Sequence, residues 1–131
     1  MLEMELYEVR QDETRPEQVI ILKEKDGDRM MPVIIGHFEA QSMYLVLNSI
    51  EVPRPLTHDL LKRVIEQLGA RLDRIVVNKL ENNTFFALLV LATDNGPVEV
   101  DARPSDSICL ALRTGSPIFV EEDVLSKVSI N

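Results

Sequence analysis

The chain has little of several residue types, and each shortage excludes a class of protein. Its 131 residues include one cysteine, Cys109, so an internal disulfide is excluded, and the apolar neighbours of Cys109 predict a core residue rather than a nucleophile. There is no tryptophan, and aromatic residues make up only 5% of the chain, which leaves little material for stacking nucleic-acid bases. No apolar run approaches the roughly 18 residues that cross a bilayer. The amino-terminal residues are acidic, unlike those of a signal peptide, so we expect a cytoplasmic protein without membrane contact.

Basic residues are also scarce. The chain has 14 Lys and Arg against 22 Asp and Glu, which gives a net charge of −8 and a pI of about 4.7. This balance argues against broad electrostatic binding to nucleic acid, because such binding needs Lys and Arg to displace counterions. It does not exclude a nuclease, since carboxylates that hold Mg²⁺ add negative charge while the metal meets the phosphate. The sequence has no glycine-rich phosphate loop and no established metal-binding motif.

Hydrophobic periodicity predicts hairpins separated by helices. We expect strands at 2–9, 19–22, 30–35, 72–77, 85–93, 97–102 and 117–120, and helices at 37–49 and 57–68. A third helix follows Pro104 and ends near Gly115, and a helical turn or two lies at 121–127. The first strand alternates as an edge or half-buried strand does, whereas 85–93 is apolar enough to be central. This order predicts an α+β fold, a single compact domain over 1–131 with a mixed or antiparallel sheet and about three helices packed on it.

Two Arg-Pro pairs each precede a predicted helix. One segment reads Arg-Pro-Leu-Thr-His-Asp from Arg54, and the other reads Arg-Pro-Ser-Asp from Arg103. In both, the proline ends the preceding segment, a Ser or Thr stands in the capping position, and an Asp opens the first turn. A helix start exposes unpaired N–H groups and the positive end of the helix dipole, so an arginine beside it favours binding of an anion such as phosphate. If the two starts meet in space, they form one polar centre with arginine, histidine and carboxylates.

His58 and Asp59 are the sharpest catalytic candidates in these segments, and Asp106 holds the matching place in the second. Hydrolysis of a phosphodiester needs a base for water and charge stabilisation on the phosphoryl oxygens. His58 has the chemistry of such a base or acid, and Asp59 that of a group that orients it or holds a metal. The alternative is that Thr57 and Asp59 only cap the helix, with His58 exposed beside them.

The remaining candidates each have a structural alternative. Arg54 and Arg103 have the geometry to clamp a phosphate, or they form salt bridges with the Asp that follows each of them. Glu39, near the start of the first helix, is a candidate for metal binding or proton transfer, with His37 beside it, although a carboxylate there also complements the helix dipole. Asp101 adds a ligand or is simply a polar strand end.

Several spaced motifs resemble the bifunctional nuclease domain family, a bacterial domain that is also found in plant proteins. They are Met-Pro-Val-Ile-Ile-Gly at 31–36 followed by Glu-Ala at 39–40, Arg-Pro-Leu-Thr-His-Asp-Leu-Leu at 54–61, Asn-Thr-Phe-Phe-Ala at 83–87, Asp-Ala-Arg-Pro-Ser-Asp at 101–106, and Pro-Ile-Phe-Val at 117–120. The resemblance implies a compact α+β domain that associates with itself, and an activity that cuts both DNA and RNA. It does not imply an agreed set of catalytic residues.

Two hypotheses follow. The first is a nuclease with Glu39, His58, Asp59 and Asp106 around an ion, either Mg²⁺ or Mn²⁺, and with Arg54 and Arg103 on the phosphate. It needs no organic cofactor, and its partner is DNA or RNA. The second is a non-catalytic binding module that forms homo-oligomers, most simply dimers, in which the same residues form an ion-pair network or a pocket for a small anion. Burial distinguishes them, because full burial with mutual pairing favours the structural role and an open cleft with a free His58 favours the enzyme.

Overall fold

Seven strands and four helices follow one another in the computed structural model, which describes residues 1–130. The strands are β1 (Leu2–Arg10), β2 (Glu17–Glu24), β3 (Met30–Gly36), β4 (Arg71–Glu81), β5 (Thr84–Thr93), β6 (Gly96–Ala102) and β7 (Ile118–Val120). The helices are α1 (His37–Leu47), α2 (Thr57–Gln67), α3 (Pro104–Thr114) and α4 (Glu122–Val128). The predicted α+β class is confirmed, and the fourth helix lies where a terminal helical turn or two was expected.

The strands form one mixed sheet in the order β3-β2-β1-β7-β4-β5-β6. Every neighbouring pair is antiparallel except β4 and β7, which run parallel. The short β7 therefore lies between two antiparallel halves, each made of three strands that follow one another in the chain. This arrangement fits the hairpin signals in the sequence, because consecutive antiparallel strands need only short turns.

Of the two alternatives expected for β1, an edge strand or a half-buried strand, the structure shows the half-buried one. β1 is not an edge strand, since β2 pairs with one of its sides and β7 with the other. Its alternating pattern reports which face of the strand is buried and carries no information about lateral neighbours. The true edge on that side is β3, which contains Pro32. An edge strand tolerates proline because the missing N–H is not needed by a second neighbour.

α3 is the most buried of the four helices. It packs on both α1 and α2 and against β4 and β5, and most of its residues from Pro104 to Ala111 are buried. Cys109 is fully buried in this helix, and burial raises the pKa of its thiol to about 11. A thiol with such a pKa stays protonated at neutral pH, so Cys109 is the core residue that its neighbours predicted. Among the helices of residues 1–130, none has the length and apolar content to span a membrane.

Candidate active site at the starts of two helices

The first turns of α2 and α3 meet through His58. The imidazole Nε2 lies 2.9 Å from Asp106 Oδ1, and Nδ1 lies 2.8 Å from Ser42 Oγ on α1. Donation of an Nε2–H to the Asp106 carboxylate leaves Nδ1 of a neutral ring to accept the Ser42 hydroxyl. His58 is only 8% exposed, so it lies behind Asp106, and neither ring nitrogen faces open solvent as an unbonded base would. The two helix starts therefore share one hydrogen-bonded centre.

Arg103 extends this centre to the surface. Its Nε donates to Asp106 Oδ2 at 2.9 Å, and its Nη2 lies 2.9 Å from the same oxygen and 3.4 Å from Glu39 Oε1. The Arg103 side chain is 66% exposed, whereas those of Asp106 and Glu39 are 32% and 17% exposed. The hydrogen bond to Asp106 raises the pKa of Arg103 above its ordinary value, so the guanidinium stays charged. We call Ser42, His58, Asp106, Arg103 and Glu39 the Arg103 cluster.

Gly36 makes room for the carboxylate of Glu39. A Cβ built on Gly36 would overlap Glu39 Oε2, because the Glu39 side chain folds back over the residue that precedes α1. Glu39 lies in the first turn of α1, as its sequence position predicted, where the helix dipole favours a negative charge. The absence of a side chain at Gly36 therefore lets Glu39 reach Arg103 from the start of its own helix.

Asp59 belongs to a second, separate pair. Its Oδ1 accepts a 2.7 Å hydrogen bond from Nε of Arg113, a residue whose side chain is 5% exposed. Arg113 also donates to the backbone oxygens of Cys109 at 3.1 Å and Ser42 at 3.2 Å. The other Asp59 oxygen accepts the Leu56 N–H at 3.0 Å, so Asp59 stabilises the start of α2. The capping role expected of a hydroxyl was wrong for both helices, because α2 begins at Thr57 itself and α3 follows Arg103 directly.

The Asp59–Arg113 pair couples stability to pH. Burial raises the pKa of Asp59, but the hydrogen bonds from Arg113 and from the Leu56 N–H outweigh it and hold the pKa below its ordinary value. A carboxyl whose folded pKa is lowered adds stability above its unfolded pKa, and this stability is lost as the pH falls through the folded pKa. An Asp59→Asn variant is therefore expected to be less stable than the wild type at neutral pH. Its free energy of unfolding is expected to fall less than that of the wild type on acidification below about pH 4.

Urea unfolding midpoints near neutral pH and in acid check this expectation. Asp94→Asn is the matched control, because Asp94 is exposed and its replacement removes the same single negative charge. Parallel acid curves for the Asp59 variant and the wild type would contradict the assigned coupling.

The other candidate residues do not join the Arg103 cluster. Arg54 is exposed and, within residues 1–130, forms no salt bridge, so its expected pairing with Asp59 was wrong because Arg113 holds that carboxylate. His37 is exposed and packs edge-on against Phe38, with ring centroids 5.8 Å apart, rather than beside Glu39. Asp101 is exposed on β6.

The geometry does not fit the single metal ion expected at Glu39, Asp59 and Asp106. In the described part of the chain, no three His, Cys, Asp or Glu side chains are grouped so that they could hold a metal. Both oxygens of Asp59 and both oxygens of Asp106 already accept hydrogen bonds, and Arg103 bridges Asp106 and Glu39. The charge that a metal would supply between these two carboxylates is supplied by a guanidinium.

Sequence reasoning missed two residues of this region, Ser42 and Arg113. Arg113 follows Asp106 by seven residues, which places both on one face of α3 two turns apart, so the spacing contained a signal. Ser42 lies on the buried face of α1, three residues after Glu39, and a buried hydroxyl requires a partner. The identity of either partner depends on how the helices pack and could not be taken from spacing.

A sequence model of the bifunctional nuclease domain matches residues 20–131. The chain belongs to the bifunctional nuclease domain family. The matched region begins in β2 and contains all five residues of the Arg103 cluster as well as Asp59 and Arg113. In this bifunctional nuclease domain, the polar centre therefore lies wholly within the part of the chain that carries the family's sequence pattern.

Relatives of this bifunctional nuclease domain occur in bacteria and plants. An uncharacterized protein of Mycobacterium tuberculosis is 39% identical over 130 residues, which are 99% of this chain and 77% of that protein. A protein of Oryza sativa subsp. indica named bifunctional nuclease 1 is 26% identical over 120 residues, 88% of this chain and 36% of the rice protein. The Arabidopsis thaliana protein of the same name is 27% identical over 111 residues, 82% of this chain and 34% of its own length. This chain thus spans about a third of each plant protein.

Proposed function

We propose that this bifunctional nuclease domain hydrolyses phosphodiester bonds of DNA and RNA at the Arg103 cluster. The observation that carries the proposal is an exposed arginine held between two partly buried carboxylates, one of which is backed by a buried histidine. A phosphodiester is an anion, and its hydrolysis requires a fixed positive charge near the phosphoryl oxygens together with a proton acceptor for water. The Arg103 cluster contains a positive charge on Arg103 and carboxylates that are able to accept a proton.

Arg103 is the phosphate-binding residue in this proposal. A guanidinium has five N–H donors, and Asp106 and Glu39 engage only those on Nε and Nη2. The Nη1 donors are directed to neither carboxylate, so they remain for a phosphoryl oxygen. Because Asp106 holds the guanidinium in two places, Arg103 meets the substrate without a further loss of side-chain entropy.

Glu39 is the proton acceptor in this proposal. Only its Oε1 contacts Arg103, and Oε2 forms no hydrogen bond to the described residues 1–130. Water attacks phosphorus as Glu39 accepts the water proton, the P–O bond to the leaving oxygen breaks, and Glu39 returns the proton to that oxygen. Asp106 positions Arg103, and His58 acts on Asp106 from behind as a positioning residue, in place of the direct base or acid expected from the sequence.

Comparison of wild type with Arg103→Gln and Arg103→Lys tests this proposal on plasmid DNA and total RNA. We expect the cleavage rate of the glutamine variant to be at least about 10-fold lower than that of the wild type. The lysine variant is expected to retain part of the rate, because lysine keeps the positive charge but lacks the planar guanidinium with its paired N–H donors. Assays with Mg²⁺, Mn²⁺ or EDTA in the same series distinguish the metal dependence expected from the sequence from the metal-free cleavage that the Arg103 cluster implies.

Arg74→Gln is the control variant, since Arg74 pairs with the neighbouring Asp73 on β4 and with no residue of the Arg103 cluster. All proteins are purified identically so that a contaminating nuclease appears equally in each. Equal cleavage by the wild type and Arg103→Gln, or no cleavage by the wild type in any condition, would refute the assignment.

One observation favours a second candidate function, a non-catalytic module that binds a small anion. His58 has both nitrogens occupied and Arg113 is almost fully buried on Asp59, which is the pairing expected of a structural network. Under this alternative, inorganic phosphate binds at Arg103 and no nucleic acid is cleaved.

Self-association as a dimer and a cytoplasmic location are compatible with both functions. The exposed apolar residues Leu60, Val64 and Leu68 along α2 support the proposed dimer.

A further inference from the structure

Two cavities adjoin along one side of α2. One has a volume of about 540 Å³ and lies between α2, the end of α3 and the segment before α2. The other, of about 240 Å³, continues towards the start of β4. Lys62 and Glu66 line both cavities, so together they form one depression, which we call the α2 groove.

The α2 groove is basic on a protein that is acidic overall. The charged side chains that line it are Arg54, Lys62, Arg63, Arg71 and Arg113, together with Glu51, Asp59 and Glu66. Arg113 and Asp59 neutralise each other, which leaves four cations against two carboxylates. The whole chain carries a net charge of −8, so a surface with an excess of positive charge is unusual here.

The cations of the groove also differ from the others in their pairing. Of the 14 Lys and Arg residues, eight form salt bridges to partners within residues 1–130. The six that do not are Lys23, Arg54, Lys62, Arg63, Arg71 and Lys127, and four of them line the groove. Unpaired cations concentrated in one concave surface are the electrostatic pattern of a site for a polyanion.

We propose that the α2 groove binds the phosphate backbone of a single nucleic-acid strand, an inference that rests on the proposed nuclease function. From Asp59 to Glu66 the helix rises about 10 Å, which is long enough to face more than one phosphate. No aromatic side chain lines either cavity in the described part of the chain, so the groove binds the backbone without stacking the bases. Binding there is therefore independent of base sequence.

The groove lies beside the Arg103 cluster in the fold. His58 and Asp59 are consecutive in the first turn of α2, about 100° apart around the helix axis, and they contact opposite ends of α3. His58 contacts Asp106 of the cluster, whereas Asp59 contacts Arg113 on the floor of the groove. A strand held in the groove is thus positioned next to the helix turn that supports the cluster, and the groove supplies affinity that the acidic surface elsewhere opposes.

Direct binding tests the inference apart from cleavage. The probe is a fluorescein-labelled single-stranded oligonucleotide of mixed sequence, as DNA and as RNA, titrated in EDTA and followed by anisotropy at several salt concentrations. Lys62→Gln/Arg63→Gln removes two groove cations. Lys23→Gln/Lys127→Gln is the matched control, because it removes two cations that also lack a salt bridge within residues 1–130 but lie outside the groove.

We expect the groove variant to bind at least about 5-fold more weakly at low salt, and its slope of log K against log salt to be shallower by about 1.4, from two lost phosphate contacts. The control is expected to bind as the wild type does, and Glu66→Gln more tightly. Equal weakening in both double variants, no binding by the wild type, or binding to anionic lipid vesicles without binding to the oligonucleotide would overturn the inference.

The outcome separates this inference from the proposed function. Oligonucleotide binding that depends on the groove cations, without cleavage, would refute the proposed nuclease activity and support the groove as a binding site. Cleavage that depends on Arg103, with KM unchanged in Lys62→Gln/Arg63→Gln, would support the nuclease function and refute binding at the groove.

Discussion

Asp106→Asn is expected to lower kcat for nucleic-acid cleavage by at least about 100-fold. The carboxylate of Asp106 accepts hydrogen bonds from His58 on one oxygen and from Arg103 on the other. An asparagine has the same shape but only one acceptor oxygen, so its amide group must face one of these two donors. Arg103 then loses its fixed position, and the positive charge at the site is no longer aligned with the phosphoryl group.

The matched control for this variant is Asp101→Asn, five residues away on β6, where an exposed carboxylate undergoes the same loss of charge. Rates measured on a short labelled oligonucleotide under saturating conditions separate kcat from KM. Far-ultraviolet circular dichroism and thermal melting show whether the fold persists. Unchanged kcat in a folded Asp106→Asn protein would exclude the Arg103 cluster as the catalytic centre.

Arg113→Met is expected to lower the free energy of unfolding by about 3 kcal/mol. The Arg113 side chain is 5% exposed and donates to Asp59 and to the backbone oxygens of Cys109 and Ser42. Methionine fills a similar volume but donates nothing, so one carboxylate and two carbonyls lose their partner together. The loss lies at the lower end of the range for a broken buried pair, because the Asp59 side chain is 29% exposed and regains some hydration.

Urea unfolding of four proteins measures this effect. They are the wild type, Arg113→Met, Asp59→Asn and the double variant, with Arg71→Met as a control at an exposed arginine. The double variant is expected to lose about 1 kcal/mol less than the two single losses added together, because either replacement alone already breaks the pair. Strict additivity would show that Asp59 and Arg113 are energetically independent despite their 2.7 Å contact.

Local sequence patterns predicted the elements of this fold well, and they failed where position depends on distant segments. The two Arg-Pro pairs are local signals, and α2 and α3 begin at or just after their prolines. The place of β1 within the sheet was beyond such signals. It depends on pairing with β7, more than a hundred residues later in the chain, and alternation in β1 is the same with or without that neighbour.

The polar centre was predictable to a similar degree. Two matching helix starts with Arg103, Asp106 and His58 indicated a shared site, and Glu39 was singled out as a carboxylate near a helix start. The partners of the two aspartates were not predictable, because Asp59 and Asp106 occupy equivalent positions in their segments and yet contact different residues. Which carboxylate meets the histidine and which meets a buried arginine depends on how α2 packs against α3.

The three-residue strand β7 has a consequence for the order of folding. It is the sole strand that joins the half formed by β1, β2 and β3 to the half formed by β4, β5 and β6 within the described residues. As the polypeptide leaves the ribosome, each half can form its hairpins early, since their contacts are local. The two halves join only after residues 118–120 have emerged, so the nascent chain until then carries an unpaired inner edge at β1 and, once residues 71–81 have emerged, a second one at β4.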